Sequence, residues 1–182
     1  MKKLLLGLAF VAPMTLTAVL AEVVASLAGH GFKRVVLVNG HGGNAPALAM
    51  AVERSQHLRP GTHVLGLYGY GFLAEHGRDL LPPEAPGHAG GDEAAVVMAE
   101  DERYARPEAF CAPDFVAPQR ELSLVLGPYN AVSTTPYHEL TRNGATGDTR
   151  PATAAIGNQI LDRAAATLAG VLEQFIAATP PA

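Results

Sequence analysis

The run Val35–Asn44, VVLVNGHGGN, limits the folds open to this chain more than any other stretch. Val35, Val36, Leu37 and Val38 are apolar and mostly β-branched, and they read as a strand buried on both faces, the pattern of a parallel sheet covered by helices. The strand stops in Asn39-Gly40-His41-Gly42-Gly43-Asn44, which brings one imidazole to the carboxyl end of a sheet, where open α/β folds bind ligands. Glycines beside His41 remove side-chain bulk and let backbone and ligand come close. The same residues also read as a tight strand-to-helix turn with an incidental histidine.

The surrounding chain alternates as a parallel sheet requires. The expected order is a strand over Leu4–Val11, a helix over Thr15–Ala28, a strand over Arg34–Val38, a helix over about Ala45–Leu58 and a strand over His63–Tyr68. In the first helix Leu16, Val19, Leu20, Val23, Val24 and Leu27 recur at helical spacing as one apolar face. Pro13 suits its start and Gly29 or Gly31 its end. The second helix is apolar through Leu48, Met50 and Val52, and Arg59-Pro60-Gly61 stops it. Far down the chain, Ile156, Ile160, Leu161, Ala164, Leu168, Val171, Leu172 and Phe175 form the face of a last helix, which Asp148 is expected to cap.

With 182 residues, 48% of them hydrophobic, and no repeat or long polar linker, the chain is expected to form one domain over 1–182. A net charge of -4 without a basic stripe argues against nucleic acid as a partner. The single cysteine, Cys111, excludes an internal disulfide framework and fits a cytoplasmic setting. Lys2-Lys3 and the apolar run to Ala12 also resemble an export signal cleaved after Ala21, but that cut would halve the first expected helix. Pro13, Thr15, Thr17 and Glu22 interrupt the run before it reaches membrane-spanning length.

A second stretch of chemical interest follows the Gly- and Pro-rich loop Gly69–Pro86. In Gly87-His88-Ala89-Gly90-Gly91-Asp92-Glu93-Ala94 a histidine on a glycine turn precedes a carboxylate at the start of a helix over Ala94–Ala99. An imidazole and a carboxylate so placed serve as metal ligand and general acid or base. The alternative is a solvated turn with Asp92 as helix N-cap. His138 with Glu139, ahead of the turn signal Asn143-Gly144, and Cys111, with no activating base near it in sequence, are weaker candidates.

LVNGHGGN (Leu37–Asn44), GHAGGDEA (Gly87–Ala94) and GDTRPATAAIG (Gly147–Gly157) together resemble the creatininase family of amidohydrolases. The resemblance implies a three-layer α/β/α sandwich with a mostly parallel sheet, commonly assembled as a homo-oligomer. It implies a divalent metal, zinc, manganese or iron, with His41 and Glu93 as ligands and His88 and Glu93 as catalytic residues. Asn39, Gly42, Gly43, Asn44 and Gly90 are implied to shape the turns or admit substrate. The implied reaction is hydrolysis of a C–N bond in a small amide, formamide or peptide terminus.

The sequence also departs from the family. Members carry a Glu-x-His segment and an Asp before the helix that begins here near Thr15, whereas no Glu, Asp or His precedes Thr15 in this chain. Ala94-Ala95 stand where members usually have Thr-Ser. These departures read as an amino-terminally truncated family member. The two expectations are a metal-dependent amidohydrolase whose missing ligands come from elsewhere, and a catalytically incomplete remnant serving as a scaffold or assembly partner.

Overall fold

The structure is a computed structural model, and it describes residues 12–58, 61–68, 75–116 and 137–179. The expected strand over Leu4–Val11 lies outside them. Tertiary contacts divide the described residues into two compact units, one of residues 12–68 with 167–179 and the other of residues 75–166.

In the first unit, helix α1 (Pro13–Gly29) begins with Pro13 in its first turn, where the missing N–H costs no helical hydrogen bond. It closes through Gly31, whose φ of 94° only glycine adopts without strain, while the Phe32 N–H returns to the Leu27 carbonyl. The buried line along α1 is Thr17, Ala21 and Val24. Val19 and Val23, expected on the buried face, are about half exposed. The small side chains let α1 pack closely on helix α2 (Ala45–Leu58), and the Thr17 hydroxyl lies 3.2 Å from the Ala47 carbonyl. Met50 is likewise on the exposed side of α2, and Ala47, Leu48, Ala51 and Ser55 are the buried positions.

Strands β1 (Arg34–Asn39) and β2 (His63–Tyr68) pair in parallel, from Arg34 opposite His63 to Asn39 opposite Tyr68. Parallel neighbours need a crossover, and α2 supplies it. It lies close on β2, because a Cβ at Gly66 would stand 3.0 Å from Val52 and 3.2 Å from Leu48. Val35 is buried, but Val38 is 62% exposed and Asn39 is buried in its place, so β1 is not covered on both faces to its end. Arg34 closes the unit by donating to the carbonyl and hydroxyl of Thr179.

The second unit centres on Leu81, Ala85 and Ile160, with Leu80, Val96 and Ile156 packed around them. Helix α3 (Gly91–Glu100) leads into two single 3-10 turns, Glu102–Tyr104 and Pro107–Ala109, and a short helix α4 (Tyr137–Leu140) follows later. Helix α5 (Ala154–Ala178) buries Gly157, Ile160 and Ala164. Its first-turn cap is Thr153, whose hydroxyl accepts the Ile156 N–H at 3.2 Å, not Asp148. Asp148 instead forms a forked ion pair with Arg150. None of the described helices is long and apolar enough to cross a membrane.

Candidate active site

In the first unit the NGHGGN turn is built around Asn39. Its side-chain amide donates to the His41 carbonyl at 2.7 Å, and its oxygen accepts the His41 N–H at 3.2 Å. Both backbone polar groups of His41 are thereby held by one buried side chain. This explains why the strand ends in a buried polar residue: the buried amide is satisfied by the turn it shapes. Gly42–Asn44 form a 3-10 turn that runs straight into α2, with the Asn44 N–H donating to the His41 carbonyl. Gly43 leaves room for the imidazole, since a Cβ there would stand 2.9 Å from His41 Nε2. His41 itself is exposed. Next to this turn is a cleft of about 290 Å³, lined by Leu16, Leu20, Val36, Val38, Asn44 and Leu48 among others.

In the second unit His88 is half-buried on a loop whose backbone N–H groups are all committed. The N–H groups of Gly87, His88 and Ala89 donate in turn to Asp92 Oδ1 at 3.2 Å, Thr146 Oγ1 at 2.8 Å and Glu93 Oε2 at 2.8 Å. Gly90 and Gly91 donate to the carbonyls of Gly87 and Ala85. Ala89 has φ of 50°, and it is the one non-glycine residue at positive φ among the described residues. Gly90 is the N-cap of α3, with the Ala94 N–H bonded to its carbonyl, so Asp92 lies inside the first helical turn and is not the cap.

Gly90 was expected to open the backbone to substrate. Its vacant Cβ position instead faces the chain's own backbone, 2.5 Å from the Ala85 carbonyl oxygen. A Cβ at Gly87 would likewise meet the Thr146 hydroxyl at 2.8 Å. The GHAGG and TGD stretches therefore pack backbone to backbone.

Asp92 is 4% exposed. Burial pushes its carboxyl above the ordinary aspartate value, opposed by the backbone N–H groups of Gly87, Glu93 and Asp92 itself. Asp148 goes the other way: hydrogen bonds from the Arg150 side chain and backbone hold it below the ordinary value. A shallow cleft of about 500 Å³ adjoins the loop, with Glu93, Val97, Tyr104, Arg106, Phe110 and Cys111 in its walls. Cys111 is exposed, and Asn143 Nδ2 approaches its sulfur at 3.3 Å. His138 and Glu139 are exposed neighbours on α4, 4.0 Å apart.

Asn39, His41, Gly43 and Asn44 thus meet in one unit, and His88, Gly90 and Glu93 meet in the other. Among the described residues no group of three or more His, Cys, Asp or Glu side chains is placed to hold a metal ion. A catalytic zinc site keeps three protein ligands, so the described donors by themselves do not fit a hydrolytic metal. Sequence reasoning did not assign Thr146 to the site or Asp92 to the loop's support. The only sequence signal for Thr146 was its position directly before the Gly147–Gly157 motif.

Residues 7–172 match the creatininase family, described as creatinine amidohydrolase. The chain belongs to the creatininase family. A creatinine amidohydrolase (creatininase) of known structure is 21% identical with a TM-score of 0.71, over 94% of this chain and 66% of that one. A structure described as "Creatininase Mn" is 20% identical, with a TM-score of 0.70, over 91% and 66% of the two chains. A mutant creatininase of "Zn-Zn type" gives the same four values. The chain therefore spans just under two thirds of the length of these relatives. The likeness shows the creatininase fold, of the α/β class that the alternating elements predict and in agreement with the α/β/α sandwich that the resemblance implies. No curated protein matches the sequence.

Proposed function

We propose that this creatininase-family chain is an amidohydrolase that cleaves a C–N bond of a small amide, formamide or peptide terminus, with His88 moving the proton. The observation that carries the reading is the His88 loop. A histidine from a family-specific motif is half-buried and its backbone is held on both sides, beside a carboxylate on the first turn of α3. Amide hydrolysis needs a proton taken from the attacking water and one given to the leaving nitrogen, and one positioned imidazole does both in turn. Glu93 fixes the loop through Ala89 and borders the adjoining cleft.

The loop does not supply an oxyanion hole. The N–H groups of residues 87 to 91 are all engaged within the protein, so none is left to receive a developing oxyanion. A divalent cation, zinc or manganese, belongs to the proposal on the strength of the manganese and Zn-Zn forms among the similar structures. His41 is the imidazole this chain would contribute to it. Homo-oligomeric assembly is part of the same reading.

The test pairs elemental analysis of the purified protein with a screen for amine or ammonia release from small amides and formamides. The expected result is bound metal that falls in His41→Ala, and turnover that is lost in folded His88→Asn. Bound metal with no turnover on any amide would overturn the reading. Absence of both metal and turnover would favour the scaffold role.

A further inference from the structure

We infer that Thr146 is the positioning residue for His88, holding the imidazole-bearing residue at both of its backbone polar groups. The Thr146 hydroxyl accepts the His88 N–H at 2.8 Å, and the Thr146 N–H donates to the His88 carbonyl at 2.8 Å. The two residues are 58 positions apart in sequence, so the reciprocal pair is a tertiary clamp and not a local turn.

The neighbouring glycines are accounted for by the same clamp. A Cβ at Gly87 would displace the Thr146 hydroxyl, and a Cβ at Gly147 would strike the Ala85 carbonyl and stand 2.9 Å from the Gly90 Cα. Both would push the Thr146 segment off the loop. Asp92 and Glu93 hold the residues on either side of His88, so the histidine is the point at which the distant segment takes hold. A residue held at both backbone polar groups keeps its Cα–Cβ direction, which sets where its ring can reach. The assignment of a purpose to that fixed direction rests on the hydrolytic reading of His88. The clamp itself does not.

The test is therefore spectroscopic first. In the full-length protein, the His88 amide is expected to be protected in hydrogen exchange, and Thr146→Val is expected to shift the His88 imidazole and amide resonances. The His41 signals should stay in place. Thr146→Ser, which keeps the hydroxyl, should restore the His88 signals. A His88 amide that exchanges freely in the native wild-type protein would overturn the clamp without any variant. So would His88 resonances unmoved in Thr146→Val, or unrestored in Thr146→Ser. If an amide substrate is found, kcat should fall in Thr146→Val by about tenfold or more with KM little changed, and recover in Thr146→Ser. His88 resonances that shift in Thr146→Val and return in Thr146→Ser, without any amide turnover, would leave the positioning intact and refute only the hydrolytic reading.

Discussion

Gly157 of helix α5 lies directly against the carbonyl of Ala95 in helix α3, so closely that a Cβ on Gly157 would collide with that oxygen and stand 2.8 Å from Ala99 Cβ. In the same α5 helix, Gly170 has nothing within 4 Å of its Cβ position. The two glycines therefore predict opposite signs. At Gly170, alanine gains about 1 kcal/mol of helix propensity with nothing to displace. At Gly157 the same gain is outweighed by overpacking against backbone, about 1–3 kcal/mol or more. Urea unfolding should show Gly170→Ala as more stable than wild type and Gly157→Ala as less stable. A neutral Gly157→Ala would mean that the two helices are not in this contact.

Gly43 and His41 predict a local effect. Alanine at position 43 would place a methyl group 2.9 Å from Nε2, so the ring must turn away. In Gly43→Ala the His41 imidazole resonances should shift while circular dichroism stays at the wild-type level. Any metal retained through His41 should be held more weakly.

Asp148 gives a pH dependence of known sign. Its folded-state carboxyl lies below the ordinary value because of Arg150, so the stability it contributes is present above the unfolded value and lost as pH falls through the folded one. Asp148→Asn should melt lower than wild type at pH 7, and the gap should close in acid below the carboxylate range. A gap that is constant with pH would exclude the ion pair as its source.

Asp92 has the opposite sign. Its folded-state value is raised by burial, so protonation favours the folded state, and stability from this residue falls as pH rises from the unfolded value through the folded one. Asparagine keeps an oxygen acceptor for the Gly87 N–H without the buried charge. Asp92→Asn should therefore be more stable than wild type at pH 7 and equal to it near pH 3. Chemical denaturation at the two pH values measures this, and a less stable Asp92→Asn at pH 7 would show that the charge is favourable where it stands.

Element positions were legible in the sequence because they rest on local signals. Pro13, Gly31 and the apolar run Val35–Val38 are such signals, and α1, β1, α2 and β2 fall within two residues of the expected bounds, while α3 starts three residues before Ala94. Burial was less legible. Apolar periodicity selected Val19, Val23 and Met50, but the closest packing between α1 and α2 runs along Thr17, Ala21 and Ala47, where small side chains let the helices approach. The turn role of Asn39 could be read from its place between strand and glycine. Thr146 and the Asp148–Arg150 pair could not be assigned in the same way. Thr146 has its partner, His88, 58 residues away and only tertiary folding brings the two together, whereas Asp148 pairs with a residue two positions on, and its place before the last helix read as a cap instead.

The left-handed Ala89 has a consequence for how the GHAGGDEA stretch can be used. Alanine prefers not to adopt φ of 50°, at a cost of about 1–2 kcal/mol, and it does so here with Asp92, Glu93 and Thr146 pinning the peptides around it. The shape of the stretch is thus held partly by its own Asp92 and Glu93 and partly from outside by Thr146. Excised as a peptide, or grafted into another scaffold without the Thr146–Asp148 segment, it would relax to a different conformation. The motif is therefore only partly portable, and the backbone of its histidine is held at both polar groups only when the Thr146 segment has folded onto it.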